Sequence, residues 1–236
     1  MRRIAVGSIL CAILLTSAAA WGQDEFVPDH VFTGLSGGIW LADSSGLNKA
    51  LEDAGYPALP GFSTMYGQES TAGLRDGPRL GFRVLYGSAR SSAGERISKL
   101  GVTLGSGMIE WGFPRGPASS VALGLSVGAG GAVLTLVDHR PETFCDALVT
   151  PFRAELTRWL YTVEPSVSAD GAPVGWLEIR LQLGYLFAFG RTWKASGAEF
   201  QDETGNLGGP IVEASFALHL ECLTAPPSEG NEGVTD

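Results

Sequence analysis

The sequence is expected to fold as an all-β domain: an eight-stranded antiparallel up-and-down β-barrel with one short helix between strands 1 and 2. Three observations lead there. Apolar and polar residues alternate with a period of two along segment after segment, the signature of strands with two unlike faces. Only 17% of the residues are charged, against a usual value of about 25%, while 33 are glycine with no collagen-like period. No apolar run is long enough to cross a bilayer as a helix.

The elements follow in chain order. Arg2 and Arg3, the apolar stretch 4–15 and the small residues Thr16 to Ala20 form a secretory signal peptide. Residues 1–22 are assigned to it, with cleavage after Ala20 or Gly22. Cys11 lies inside the apolar stretch after Leu10, which does not suit a lipoprotein cysteine. The barrel domain is assigned to 23–224, and 225–236, rich in Pro, Ser, Gly and Glu, reads as a disordered tail.

The first strand is expected over 31–42. A helix follows, with Ser44 or Ser45 as cap, Leu47, Ala50, Leu51 and Ala54 at helical spacing, Gly55 as the stop and Pro57 beyond. It can serve as a plug or as packing that covers one open end. The second strand spans 62–73 and ends at the turn Arg75-Asp76-Gly77-Pro78. The third spans 79–88, with Leu80, Phe82, Val84 and Tyr86 opposite Arg83. In the fourth, 97–112, the apolar phase flips from Leu100, Val102 and Leu104 to Ile109 and Trp111. That flip predicts a bulge near Gly105-Ser106-Gly107. The fifth spans 121–137 and the sixth 160–168, followed by a turn at Asp170-Gly171-Ala172-Pro173. The seventh, 175–190, alternates most clearly: Leu177, Ile179, Leu181 and Leu183 against Glu178, Arg180 and Gln182. The eighth spans 211–223, with Val212, Phe216 and Leu218 opposite Glu213, Ser215 and His219. Eight such strands suffice to close a barrel.

Connections after strands two, four and six are short. Those at 43–61, 138–158 and 191–210 are long, and 89–96 is intermediate. Short turns at one end and longer loops at the other are the pattern of outer-membrane barrels, with both termini on the periplasmic side. Cys145 then falls in an outer loop and Cys222 at the periplasmic end, about 25 Å apart, so the two are expected to stay unpaired.

Alternation alone does not say which face is inside. The polar faces of strands three and five carry Gly81, Gly124, Ser126 and Gly128, small residues that suit a crowded interior better than water, with Arg83 a charge among them. The expected location is therefore the outer membrane, with outer-membrane lipid as partner and the periplasm as the alternative. Arg83, Glu178, Arg180, Gln182, Glu213 and His219 form the candidate lumen polar network, its charges paired because burial of a lone charge is costly.

The signal, the amphipathic strands, the many glycines and the stretch from Trp176 to Tyr185 resemble small bacterial outer-membrane β-barrel proteins. The insert Gly46-Leu47-Asn48-Lys49-Ala50-Leu51-Glu52-Asp53-Ala54-Gly55-Tyr56-Pro57 resembles a segment of porin-like barrels of uncharacterised function. The resemblance implies an outer-membrane barrel and brings no shared catalytic set. Leu223 stands where such proteins usually end on an aromatic residue.

The function expected is a structural, binding or narrow-pore role. One alternative is a soluble periplasmic lipocalin-like barrel binding an apolar ligand. The other is a lipid-modifying hydrolase or acyltransferase, which needs a histidine-centred site at His139, beside Asp138 and Glu142, or at His219, near Glu221. His30 reads as a solvated residue ahead of strand one. Asp202, Glu203 and Asn206 lack the spacing of a calcium loop. No catalytic, metal or cofactor signature stands out, so no enzyme activity and no cofactor are expected. A net charge of -9 without a basic patch argues against nucleic acid. Trp111, Trp159, Trp176, Trp193, Tyr161 and Tyr185 are candidates for interfacial aromatic belts.

Overall fold

The computed structural model describes residues 28–116, 118–138, 153–190, 192–195, 198–200 (backbone only) and 205–218. The signal peptide, His139, Cys145, Asp202, Glu203, His219, Glu221, Cys222, Leu223 and the tail 225–236 lie outside the described residues. Eight long strands form the wall: β1 (His30–Trp40), β2 (Ser63–Gly73), β3 (Gly77–Ala93), β4 (Arg96–Gly116), β5 (Ser119–Val137), β6 (Arg153–Val174), β7 (Leu177–Gly190) and β10 (Leu207–Leu218). A helix, α1 (Ser45–Asp53), separates β1 from β2. A short pair, β8 (Trp193–Ala195) and β9 (Ala198–Phe200), sits between β7 and β10.

Every neighbouring pair is antiparallel, and the sheet closes on itself through β1–β10 and β5–β6. The ring is staggered. A row of partners traced from Gly34 through Glu69, Arg83, Ser106, Gly128, Thr162, Ala188 and Leu207 arrives at the level beyond Trp40, not back at Gly34. Such stagger is the geometric companion of strand tilt in a closed barrel.

Turn chemistry closes the hairpins. β3 and β4 are joined by Gly94 and Glu95 alone, and Gly94 has φ 58°, a left-handed conformation that favours glycine in tight hairpins. The intermediate loop expected at 89–96 is thus two residues, because the strand ladder continues to the pair Ala93–Arg96. The turn expected at Asp170-Gly171-Ala172-Pro173 is instead the end of β6. Its ladder is irregular only between Gly171 and Val174, and the chain reverses at Gly175 and Trp176.

The bulge expected in β4 does not form. Gly105, Ser106 and Gly107 pair in unbroken register with both β3 and β5, and the register shift falls at Pro114–Gly116. The apparent phase flip has another origin. Even-numbered residues of β4 point inward along its length, so Leu100, Val102 and Leu104 line the interior while Ile109 and Trp111 lie outside.

α1 closes the end of the barrel that also carries the Gly94–Glu95 turn, where Arg96 donates to Gly55 O, and lies opposite the end where β2 turns into β3 and β6 into β7. Leu47 and Leu51, one helical turn apart, are buried, whereas Ala50 and Ala54 stay exposed. Ser44 occupies the N-cap position, but neither its hydroxyl nor that of Ser45 caps the helix. The Asp43 carboxylate instead accepts the Ser45 N–H at 3.1 Å. Bonds from Ser45 hold that carboxyl below its usual range. At the other end Gly55, φ 77°, donates to Glu52 O, and Tyr56 donates to Leu51 O, the paired bonds of a glycine-terminated helix. Asn48 then ties the helix to the returning chain. It donates to Leu59 O at 3.1 Å and accepts from Leu59 N at 2.8 Å.

Candidate functional site: the charged half of the barrel interior

The interior changes character along its axis, strand by strand. Away from α1, inward residues are charged: Glu69 on β2, Arg79 and Arg83 on β3, Glu110 on β4, Glu164 and Asp170 on β6, Arg180 on β7 and Glu213 on β10, all buried. Toward α1 the same inward faces continue as Met65, Leu85, Leu104, Leu160, Leu186 and Ile211, which pack with Trp40, Leu47, Leu51 and Leu59 into one apolar core. Arg158 is the charged exception in that half. Its guanidinium stacks 5.7 Å from the centre of the Trp193 ring and donates to Gly205 O.

The charged half is braced across the bore. Arg180 donates to Glu110, with Glu69 Oε1 at 3.2 Å and Asp170 Oδ1 at 3.6 Å, so one guanidinium on β7 engages three other strands. Arg83 spans Glu164 on β6 and Glu213 on β10. Arg79 donates to Asp170 and to Ser120 Oγ, both at 2.7 Å, and to the carbonyls of Leu74 and Arg75. Gln182 donates to Glu164 at 2.9 Å. β1 joins through Phe32, whose ring lies 6.0 Å from the Arg180 guanidinium. The fork of five donors on each arginine is what lets three side chains connect so many strands.

Of the residues expected to form the lumen network, Arg83, Arg180, Gln182 and Glu213 are brought together, and Glu178 is buried one inward step nearer the turn on β7. His219 falls outside the described residues. Glu69, Arg79, Glu110, Glu164 and Asp170 were not among those expected. Period-two counting finds the first four: Glu110 lies between outward Ile109 and Trp111, and Arg79 is two full periods from Arg83. Asp170 was hidden by its assignment to a turn. His30 is not solvated. As the first residue of β1 it points inward and is 4% exposed.

The chemistry of this set is that of a brace. Glu110, Glu164, Asp170 and Glu213 are each engaged by an arginine donor from another strand, so their oxygens are taken up in contacts across the bore. Among the described residues no group of three His, Cys, Asp or Glu is arranged to hold a metal.

The outer wall is the reverse of the interior. Leu35, Tyr66, Ile109, Leu123, Val127, Leu181, Leu183 and Leu218 are each well exposed, within a band of outward apolar residues around the ring. Trp111 and Trp176 lie outward near the turn end, and Trp159, Tyr161 and Tyr185 outward toward α1. Trp193, expected with them, is instead buried under Arg158.

No family model matches the chain, and no curated protein sequence matches it. Among solved structures it is similar to the crystal structure of neisserial surface protein A, with 12% sequence identity and a TM-score of 0.43, over 81% of this chain and 100% of that one.

Proposed function

We propose that this chain is an integral outer-membrane β-barrel with a closed, non-conducting bore, a structural wall that carries its longer connections and α1 on the outer side. The observation that supports this reading most is the inversion of polarity: arginines and carboxylates inside, exposed apolar side chains on the outer face of every long strand. Soluble monomers rarely expose an apolar patch beyond a few hundred Å², whereas a barrel in lipid needs such a band at every azimuth. A lipocalin-like protein needs the opposite arrangement, an apolar cavity within and polar residues without. The narrow-pore role is disfavoured because the apolar core and α1 fill one half of the bore and ion pairs cross the other.

Two measurements test it. The protein should be released from cells only by detergent and should migrate faster on a gel unheated than heated. Reconstituted in planar bilayers, it should give no conductance steps. Folded protein in the soluble periplasmic fraction overturns the membrane reading, and regular conductance steps overturn the closed bore.

A further inference from the structure

The outer wall is not uniform: β4 places Thr103 outward, and β2 carries three polar residues along its outer face. Outward residues of β7 from Leu177 to Phe189 are all apolar. On β2 the outward positions are Thr64, Tyr66, Gln68, Ser70 and Ala72. Thr33 on β1 and Ser70 satisfy each other, hydroxyl to hydroxyl, at 2.9 Å. Gln68 is exposed, and its carboxamide meets no hydrogen-bonding partner among the described residues. It is the central residue of β2, paired with Leu35, the central residue of β1, and with Val84. Five residues of strand, about 17 Å, separate it from either end of β2, farther than a glutamine side chain extends.

We propose that this wall of β1 and β2 is the contact surface between two copies of the chain in the membrane, with the two Gln68 side chains facing each other. The inference rests on the membrane reading above. At mid-height in hydrocarbon an unsatisfied carboxamide is strongly disfavoured, and lipid has nothing to give it. A second copy does. A carboxamide is donor and acceptor at once, so two related by a twofold axis complete each other with paired N–H···O=C bonds. Gly37, outward on β1 opposite Tyr66, leaves room for the partner wall to approach. The stacked rings of Tyr66 and Tyr86, 5.7 Å apart, flank the seam. The outward positions of β1 and of β2 carry no charge, so nothing in the seam repels its own copy.

The test uses the full mature chain carrying Cys145→Ser and Cys222→Ser and keeping Gln68, with either Leu35→Cys, paired with Gln68 on β1, or, on β5 across the ring, Leu125→Cys. In lipid vesicles at high dilution, a short bifunctional thiol reagent should convert most of the Leu35→Cys protein into a covalent dimer and leave the Leu125→Cys protein monomeric. Native mass spectrometry from mild detergent should show a dimer for the unaltered chain, weakened at least tenfold by Gln68→Leu and kept by Gln68→Asn. A heat-modifiable, membrane-inserted protein that is monomeric in both assays, or that cross-links equally at both positions, overturns the dimer alone. Recovery of the chain as a soluble protein overturns the membrane reading and the dimer with it.

Discussion

The two halves of the barrel interior share the same strands and the same inward faces, yet they cohere by different physics. Near α1, Leu104, Leu160, Leu186 and Ile211 contribute through dispersion and removal of apolar surface, in increments that scale with the volume each side chain fills. In the half away from α1, Arg83 and Arg180 each answer two or more carboxylates on other strands, and the worth of any one group depends on all its partners. Buried ion pairs add little net stability over well-packed apolar residues, but losing one member leaves the other as an uncompensated charge. The apolar half is thus graded and forgiving, the charged half all-or-none. The charged half also fixes register. A slip of one residue in β3 or β7 would turn Arg83 or Arg180 outward into the apolar band.

The sharpest separation of the halves should come from Arg180→Met. It keeps much of the side-chain volume but strands Glu69 and Glu110, while Asp170 keeps Arg79, and is expected to cost about 3–5 kcal/mol in urea unfolding from lipid vesicles. A cost under about 1 kcal/mol would show that the brace is not felt. Leu160→Ala, fully buried in the other half, should cost about 2–4 kcal/mol by cavity formation. Refilling the space should recover part of it, so Leu160→Val should fall between the two. If Leu160→Val destabilises as much as Leu160→Ala, the apolar half is not graded and the contrast fails. The smallest change is Gln182→Ala, expected to cost about 1 kcal/mol, because Glu164 keeps its bond to Arg83. A loss equal to that of Arg180→Met would extend the all-or-none behaviour to neutral members of the network.

The same contrast governs how much could be read from sequence. β7 was legible because its two faces stay pure from Leu177 to Leu183, and so were the ring of eight strands, the helix and the inward placement of Arg83, Arg180, Gln182 and Glu213. β4 was misread because its apolar residues have two destinations. Leu100 and Leu104 belong to the interior core, Ile109 and Trp111 to the outer wall, and a change of apolar phase at glycines looks like a bulge when it is a change of surroundings. β6 was cut short at both ends. Arg153 and Glu155 look like loop charges, though they prolong the strand in pairing with β5, and Asp170 before Gly171 and Pro173 looks like a turn. What local pattern cannot convey is which inward charges meet across the bore, since Arg83 and Glu213 are neighbours only once the ring has closed.

Closure itself carries a consequence for assembly. Hairpins such as β3–β4 join residues close in sequence, but the seam pairs Leu35 with Phe216, near opposite ends of the described chain. Bringing such distant segments together is entropically demanding and slow. Until β10 arrives, β1 and β7 each present a row of free backbone donors and acceptors, and an open strand edge is a template for pairing with another molecule. The hazardous interval in the life of this protein is therefore the time before the seam forms, when copies can mispair edge to edge, and not any later opening of the finished ring.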